Sequence, residues 1–442
     1  MSRQMHLGLF LLGTGSHIAG WRYPGAVDSF QDLAAMQFVA REAERGRFDL
    51  IFLGDNLYAD PLAHPSYTAR FEPLTLLSAL AATTRHIGLG ATASTTYSDP
   101  FTVARAFASL DHLSGGRAAW NAVTSASPAA GVNFGRAHPA HADRYAAAEE
   151  FVAVVRGLWD CWDDDAIVAD RATGRYIDPA KVRALDHAGP HFRVKGPLNI
   201  GRSPQGRPVI LQAGGSAPGQ WLAARTADVV FSVVQDFDES KRQYAELKRL
   251  VVQAGRAPEA VALLPGVMPV VGRTDREARE RLATLQGFID GGNAMAMLSE
   301  RFGTDMSRYD FDAPVPDELG ASDSYHSFAR VMLDKARREA MTLRDLYNLV
   351  AAARGHWVLC GSAERIADTL EEWFVGGAAD GFNVMPPYFH GGLTDFVDLV
   401  VPLLQARGLF RRDYAGATLR GHFGLARPPD QSLGVAASSA RV

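Results

Sequence analysis

Cysteine is nearly missing from this chain: 442 residues hold two, Cys161 and Cys360. They stand far apart and in no metal-type spacing, which speaks against a disulfide framework and suits a reducing cytoplasm. An excess of either charge is missing too. Lys+Arg number 45 against 49 Asp+Glu, so there is no basic field to recruit nucleic acid. The apolar run Leu7 to Leu12 is too short to span a membrane. No small-residue cleavage site separates it from Thr14-Gly15-Ser16-His17, so it does not read as a signal peptide. Barrel metallohydrolases need His-x-His or clustered carboxylates at a strand end, and neither is present, so no metal is expected. Gly214-Gly215-Ser216-Ala217-Pro218 puts proline where the serine-hydrolase motif needs glycine. Gly13-Thr14-Gly15 is followed by Ile18 where a dinucleotide fingerprint needs its third glycine.

What is present is a large apolar fraction, 47% of the residues, arranged in an alternating pattern. Short apolar runs that suit buried strands lie at residues 6–11, 49–55, 86–92, 115–123, 208–213, 227–232, 261–271 and 382–385. Helical periodicity separates them, clearest over 30–47, 72–84, 101–113 and 144–162, and residues 394–407 close the pattern. Eight strands mostly alternating with helices predict an α/β fold, a (β/α)8 TIM barrel. Such a barrel takes roughly 250 residues, and the surplus falls after helix four (163–206) and after helix seven (291–357). The expectation is one domain over 1–427 with these insertions serving as lids or contacts between copies, and a disordered tail over 428–442.

Such barrels place their working groups at the carboxyl ends of the strands. Strand four runs from Gly115-Gly116 to Asn121-Ala122-Val123-Thr124-Ser125, an unusual concentration of small hydrogen-bonding groups. These side chains serve either a ligand or the cap of the next helix. Other strand ends supply His17, Asp55, Thr92, Ser216 and His390. Gly214-Gly215-Ser216 before a helix suits an anion seat, with a simple helix cap as the alternative. His141 and Tyr145 are four apart and so share a helix face. His6 and His86 stand at strand starts, the end of a barrel that serves stability.

A set of segments spans nearly the whole chain in order: Gly15-Ser16-His17 with Trp21-Arg22, Phe48-Asp49 through Asp55, Ala91-Thr92 with Ser94-Thr95-Thr96-Tyr97, and Leu110-Asp111-His112-Leu113-Ser114-Gly115-Gly116-Arg117. Trp120-Asn121-Ala122-Val123-Thr124-Ser125, Asn133-Phe134-Gly135, Asp143-Arg144-Tyr145, Pro208-Val209-Ile210-Leu211-Gln212-Ala213-Gly214 and Asp380-Gly381-Phe382-Asn383 continue it. The ordered set resembles the bacterial luciferase-like flavin monooxygenases, in the branch of the nitrilotriacetate, EDTA, dibenzothiophene-sulfone and long-chain alkane monooxygenases. The resemblance implies a cytoplasmic homodimer or homotetramer that binds reduced FMN from a separate NAD(P)H:FMN reductase and activates O2 to oxidise a small organic substrate. By match to the family's motifs, FMN contacts fall on Asp55, Thr92, Ser125, His141, Tyr145 and Ser216, with Asn121 as a further one. His17 is the catalytic candidate, since an ordinary histidine titrates near neutrality.

Tyr58, Arg70 and His390 are candidate substrate contacts. Some relatives carry a histidine where this chain has Ala126, and Arg70 or His390 would substitute for it. Arg22, Arg70 or Arg171 would suit a polycarboxylate; Trp21, Phe71 and Tyr97 would suit an apolar substrate. A flavin- or deazaflavin-dependent reductase on the same barrel and a non-catalytic flavin-binding protein remain alternatives.

Overall fold

The computed structural model describes residues 3–59, 68–289, 291–317, 319 and 326–429. Its main sheet is built from β1 (His6–Phe10), β2 (Leu50–Leu53), β3 (Gly88–Ser94), β4 (Ala118–Val123), β5 (Val209–Gln212), β6 (Val229–Ser232), β7 (Ala262–Gly272), β8 (Trp357–Ser362) and β9 (Gly381–Val384). All pairings in it are parallel. Eight strands close into the expected barrel, in the order β1-β2-β3-β4-β5-β6-β7-β9 and back to β1.

The strand that sequence reading does not separate is β8. It exists because β7 is 11 residues long. Gly266 and Val267 pair with β9 inside the ring, while Val267–Gly272 run on beyond it and pair with Trp357–Ser362. Trp357 stacks on Trp373, ring centroids 4.1 Å apart, and so anchors the extra strand to the helix that follows.

The helices between the strands are α1 (Leu33–Arg45), α2 (Pro73–Ala81), α3 (Pro100–Ser114), α4 (His141–Trp159), α5 (Ala217–Thr226), α6 (Phe237–Gln253) and α7 (Asp275–Gly287). After α7 come α8 (Gly291–Phe302), α9 (His326–Arg338) and α10 (Leu343–Ala353), then α11 (Ala363–Val375) and three consecutive closing segments, Gly391–Asp395, Phe396–Val400 and Val401–Ala406. Their starts are set by acceptor side chains: Asp32, Glu72, Asp99, Ser216, Asp236 and Thr274 each take a backbone N–H of the first turn. Proline opens α2 and α3, where its missing N–H costs nothing. No helix among the described residues is long and apolar enough to cross a membrane.

Two apolar layers follow from strand alternation. Leu7, Leu9, Ile51, Leu89, Trp120 and Ile210 point out to the helices, whereas Phe10, Leu50, Phe52, Leu211, Val229 and Leu264 fill the barrel. The insertion after α7 has its own core, in which Leu298, Phe302, Met332, Leu346, Tyr347 and Val350 are buried and Ile18 packs against them. The insertion after α4 forms two short hairpins, Ile167–Asp170 with Arg175–Ile177 and His187–Ala188 with Arg193–Val194. It lies toward the closed end of the barrel, where Gly201 accepts from His112 at the end of α3. Pro428 and Pro429 accept from Arg202 there, and the rest of the expected tail, 430–442, lies outside the described residues.

The closed end serves stability, as read from His6 and His86. His6 Nδ1 is 3.0 Å from Asp49 Oδ1, Arg411 bonds the same carboxylate, and the ring of His86 stacks on Tyr414. Burial pushes the Asp49 carboxyl up, but Arg411 and His6 outweigh it and hold the group below its ordinary range.

Candidate functional site

At the opposite end the carboxyl ends of β2 to β6 and the helices after α7 enclose a cavity of about 1440 Å³. Asp55, Thr92, Ser125, His141, Tyr145, Ser216 and Tyr58 all line it. Asn121, His17, Arg70 and His390 do not.

The polar wall is built from strand register. Thr92 and Asn121 are direct neighbours on β3 and β4. Asn121 Nδ2 donates to Thr92 Oγ1 at 2.9 Å, and that hydroxyl donates to the Leu53 carbonyl at 2.8 Å. Asn121 therefore holds Thr92 from behind, and its own Oδ1 is buried with no partner. Asp55 faces Arg70 at 3.7 Å. Burial raises the Asp55 pKa, with Arg70 and the Asn56 N–H opposing. Arg70 thus backs Asp55 instead of reaching the cavity wall, and its guanidinium lies 5.8 Å from the Phe30 ring.

The second half of the site is an anion seat. Ser216 Oγ accepts from Gly219 N at 3.3 Å, so the residue is the cap of α5. The same Oγ is 3.2 Å from the Tyr145 hydroxyl. Tyr145 reaches it from α4, which begins at His141, three residues before the expected start, and the two rings lie 4.9 Å apart. Two glycines make room for these groups: a Cβ on Gly219 would come within 2.9 Å of the Tyr145 hydroxyl, and one on Gly214 within 3.1 Å of Gly219 Cα. A hydroxyl pair beside the free N–H groups of a helix start is well suited to a phosphate.

His17 is wholly buried, with Nδ1 accepting from Ala19 N at 3.1 Å. Burial pulls its pKa down to about 3, so the expectation of a ring titrating near neutrality does not hold. Its neighbour Ile18, rather than His17 itself, reaches the cavity wall. His390 sits at the start of the closing helix with its ring edge-on to Phe38 at 4.2 Å. Arg22 donates to the Phe288 carbonyl, Trp21 is exposed, and Arg171 belongs to the hairpin region at the far end. Residues 60–67, next to Tyr58, lie outside the described set.

Several wall residues escape the sequence reading. Arg144 stands three residues after His141 on α4, and the helical period that groups His141 with Tyr145 also includes i+3; it donates to the Ser125 carbonyl at 2.9 Å. His138 also lines the cavity, with Nδ1 2.7 Å from the Tyr97 hydroxyl. Phe231, on the inner face of β6, packs with Phe10, Phe52 and His356 as an aromatic floor. Gln212 and Ser232 leave buried polar atoms, Nε2 and Oγ, without partners. A loop path decides only His138; Gln212, Phe231 and Ser232 stand at the carboxyl ends of β5 and β6, where the strand-end rule could have found them. From the helices after α7 come Ala296, Met297, Val331, Ala351 and Arg354.

Comparison with known proteins bears directly on this geometry. The luciferase-like monooxygenase family model matches residues 5–380. The chain is 46% identical to N-acetyl-S-(2-succino)cysteine monooxygenase of Bacillus subtilis, over 96% of this chain and 98% of that protein. It is 45% identical to nitrilotriacetate monooxygenase component A of Aminobacter aminovorans, over 97% of this chain and 98% of that one. Among solved structures, a riboflavin lyase holding a modified FMN and riboflavin superposes with a TM-score of 0.84 at 31% identity, covering 96% of this chain and 97% of that chain.

Proposed function

The chain belongs to the luciferase-like monooxygenase family, and from that footing we propose that it takes reduced FMN from a separate reductase and uses O2 to oxidise a small organic substrate. The observation that carries the reading is one cavity wall combining an anion seat with a strand-end polar edge. Ser216, Tyr145, Ser125 and the start of α5 would hold the phosphate; Thr92 and Asp55 would meet the hydrogen-bonding edge of the flat ring system. The unpartnered polar atoms of Gln212 and Ser232, and the glycine-made space at 214 and 219, fit a group of this kind. Reduced flavin, when bound, supplies the oxygen activation. The protein's own part is to bind, orient and keep water out.

Exclusion of water falls to the insertion after α7, whose Met297, Val331 and Ala351 close one side of the cavity together with Ile18 and Leu57. Thr92 is fixed by two hydrogen bonds before any ligand arrives, so its orientation costs nothing on binding. His17 is uncharged at neutral pH, with Nδ1 accepting from Ala19 N; its place in the mechanism is as a neutral group behind the Ile18 wall. Both relatives are named for polycarboxylate substrates, and we extend that chemistry to this chain, with Arg354 and Arg242 at the wall as cations to meet it. A name ending in component A points to a separate partner component. Work alongside such a reductase in the cytoplasm, as a homo-oligomer, completes the proposal.

The test is a reconstitution with an FMN reductase, NADH and a panel of aminopolycarboxylates and S-succinylated thiols. Substrate-dependent O2 uptake with incorporation of labelled oxygen is expected. Reduction of a panel compound without O2 uptake would replace the proposal with a reductase, and flavin binding without turnover would replace it with a carrier.

A further inference from the structure

Ser125 is a non-glycine residue with φ +47, in the left-handed region, on the cavity wall. A serine there relaxes unless its surroundings hold it. Three neighbours do so. Arg144 donates to the Ser125 carbonyl at 2.9 Å and to the Thr124 carbonyl at 3.4 Å. Thr96 Oγ1 donates to the same Thr124 carbonyl at 2.9 Å. Ser94 Oγ lies 2.7 Å from Ser125 Oγ.

We infer that Arg144 is a positioning residue: by gripping the carbonyls of Thr124 and Ser125 it holds Ser125 in its left-handed turn, with the hydroxyl presented to the phosphate. The inference rests on the flavin reading above. Ser94 Oγ accepts the N–H groups of Thr96 and Tyr97, each at 3.1 Å, so its own proton can turn to Ser125 Oγ. Ser125 then keeps its O–H for a ligand oxygen. Arg144 itself is 9% exposed; one terminal nitrogen of its guanidinium serves both carbonyls of the turn, while its buried Nε has no acceptor.

The test compares FMN with riboflavin, which lacks the phosphate, on four proteins: wild type, Arg144→Met, Ser125→Gly and the double variant. Dissociation constants come from flavin fluorescence, with thermal melts as a check on folding and Arg144→Lys as a milder variant in case Arg144→Met does not fold. With Ser125 in place, loss of Arg144 should weaken FMN roughly tenfold, the fold-change that corresponds to an unsupported left-handed residue. Riboflavin binding should barely change. In the Ser125→Gly background the same loss should cost FMN binding less than about twofold, because glycine adopts this conformation unaided. Equal losses in both backgrounds, or equal losses for FMN and riboflavin, would overturn this inference alone. Wild-type protein that takes up neither flavin would overturn the proposed function and the inference with it.

Discussion

Replacing Gly219 with alanine separates the anion seat from the stability of the helix that carries it. Gly219 is in the first turn of α5, and its N–H is the donor that Ser216 caps. In a helix, alanine is favoured over glycine by about 1 kcal/mol. Against this, the new Cβ would lie 2.9 Å from the Tyr145 hydroxyl and 3.1 Å from Gly214 Cα. The tyrosine tip can give way, but the Gly214 backbone gives less, so strain of about 1 kcal/mol offsets most of the propensity gain. The melting temperature should therefore move by only about 2 °C either way. Binding should not be spared. Moving the Tyr145 hydroxyl off its line removes a hydrogen bond to a charged group, worth about 1.5–3 kcal/mol, or roughly 10- to 100-fold in the FMN dissociation constant. Fluorescence titration of the folded variant measures this directly. Unchanged FMN affinity alongside an unchanged melt would refute the argument that the phosphate sits between Tyr145 and the start of α5.

Other expectations follow from the same structure. Asp49→Asn leaves Arg411 and His6 facing a neutral group in a buried site and should cost about 3–5 kcal/mol by chemical denaturation. Because the folded pKa of Asp49 lies below its ordinary value of 3.8, its contribution is present above that pH and is lost as pH falls through the folded value. The variant should therefore lose less stability than wild type on acidification below about pH 4. His17→Asn should leave the shape of the pH–rate profile between about 5 and 8 unchanged, since a ring with a pKa of about 3 does not titrate there; a limb that vanishes would show that His17 is less buried in solution. A depressed histidine pKa also means that the unfolded chain binds the extra proton first. Wild type should therefore lose stability from about pH 6.5 downward through this residue, and His17→Asn should flatten that slope. Met297→Trp fills the side of the cavity closed by the α8–α10 insertion and should raise the substrate KM several-fold with the FMN dissociation constant unchanged; a parallel loss of FMN affinity would mean the two ligands share that side.

Much of this molecule is legible without any coordinates. Buried strands such as 49–55 and 208–213 announce themselves because a strand covered on both faces must be apolar throughout, and their alternation with helices leaves few architectures. The fourfold spacing of His141 and Tyr145, and Ser216 as a helix cap, are local properties, decided within one turn of backbone, so periodicity and cap chemistry are enough to read them. Tertiary packing decides what lies beyond that range. Sequence reasoning sends Arg70 to a substrate, whereas it backs Asp55; the same reasoning sends His390 to the cavity, whereas it packs on Phe38. His17 follows β1 as expected, but the turn to Pro387 buries its ring and depresses its pKa. The two insertions carry the same expectation from sequence, as lids or contacts between copies, yet one lies at the closed end and the other walls the cavity.

Which residues stand at the ends of strands, and which helix faces they share, is therefore written in the chain itself, because those relations are set by fixed backbone periods. How far each loop travels before it turns, and whether a polar tip ends in solvent, in a cavity or against a neighbour, depends on contacts between residues far apart in sequence. Ser125 shows the division: its place after β4 is plain from the chain, but its left-handed turn exists only because Arg144, Thr96 and Ser94 arrive from other elements to hold it.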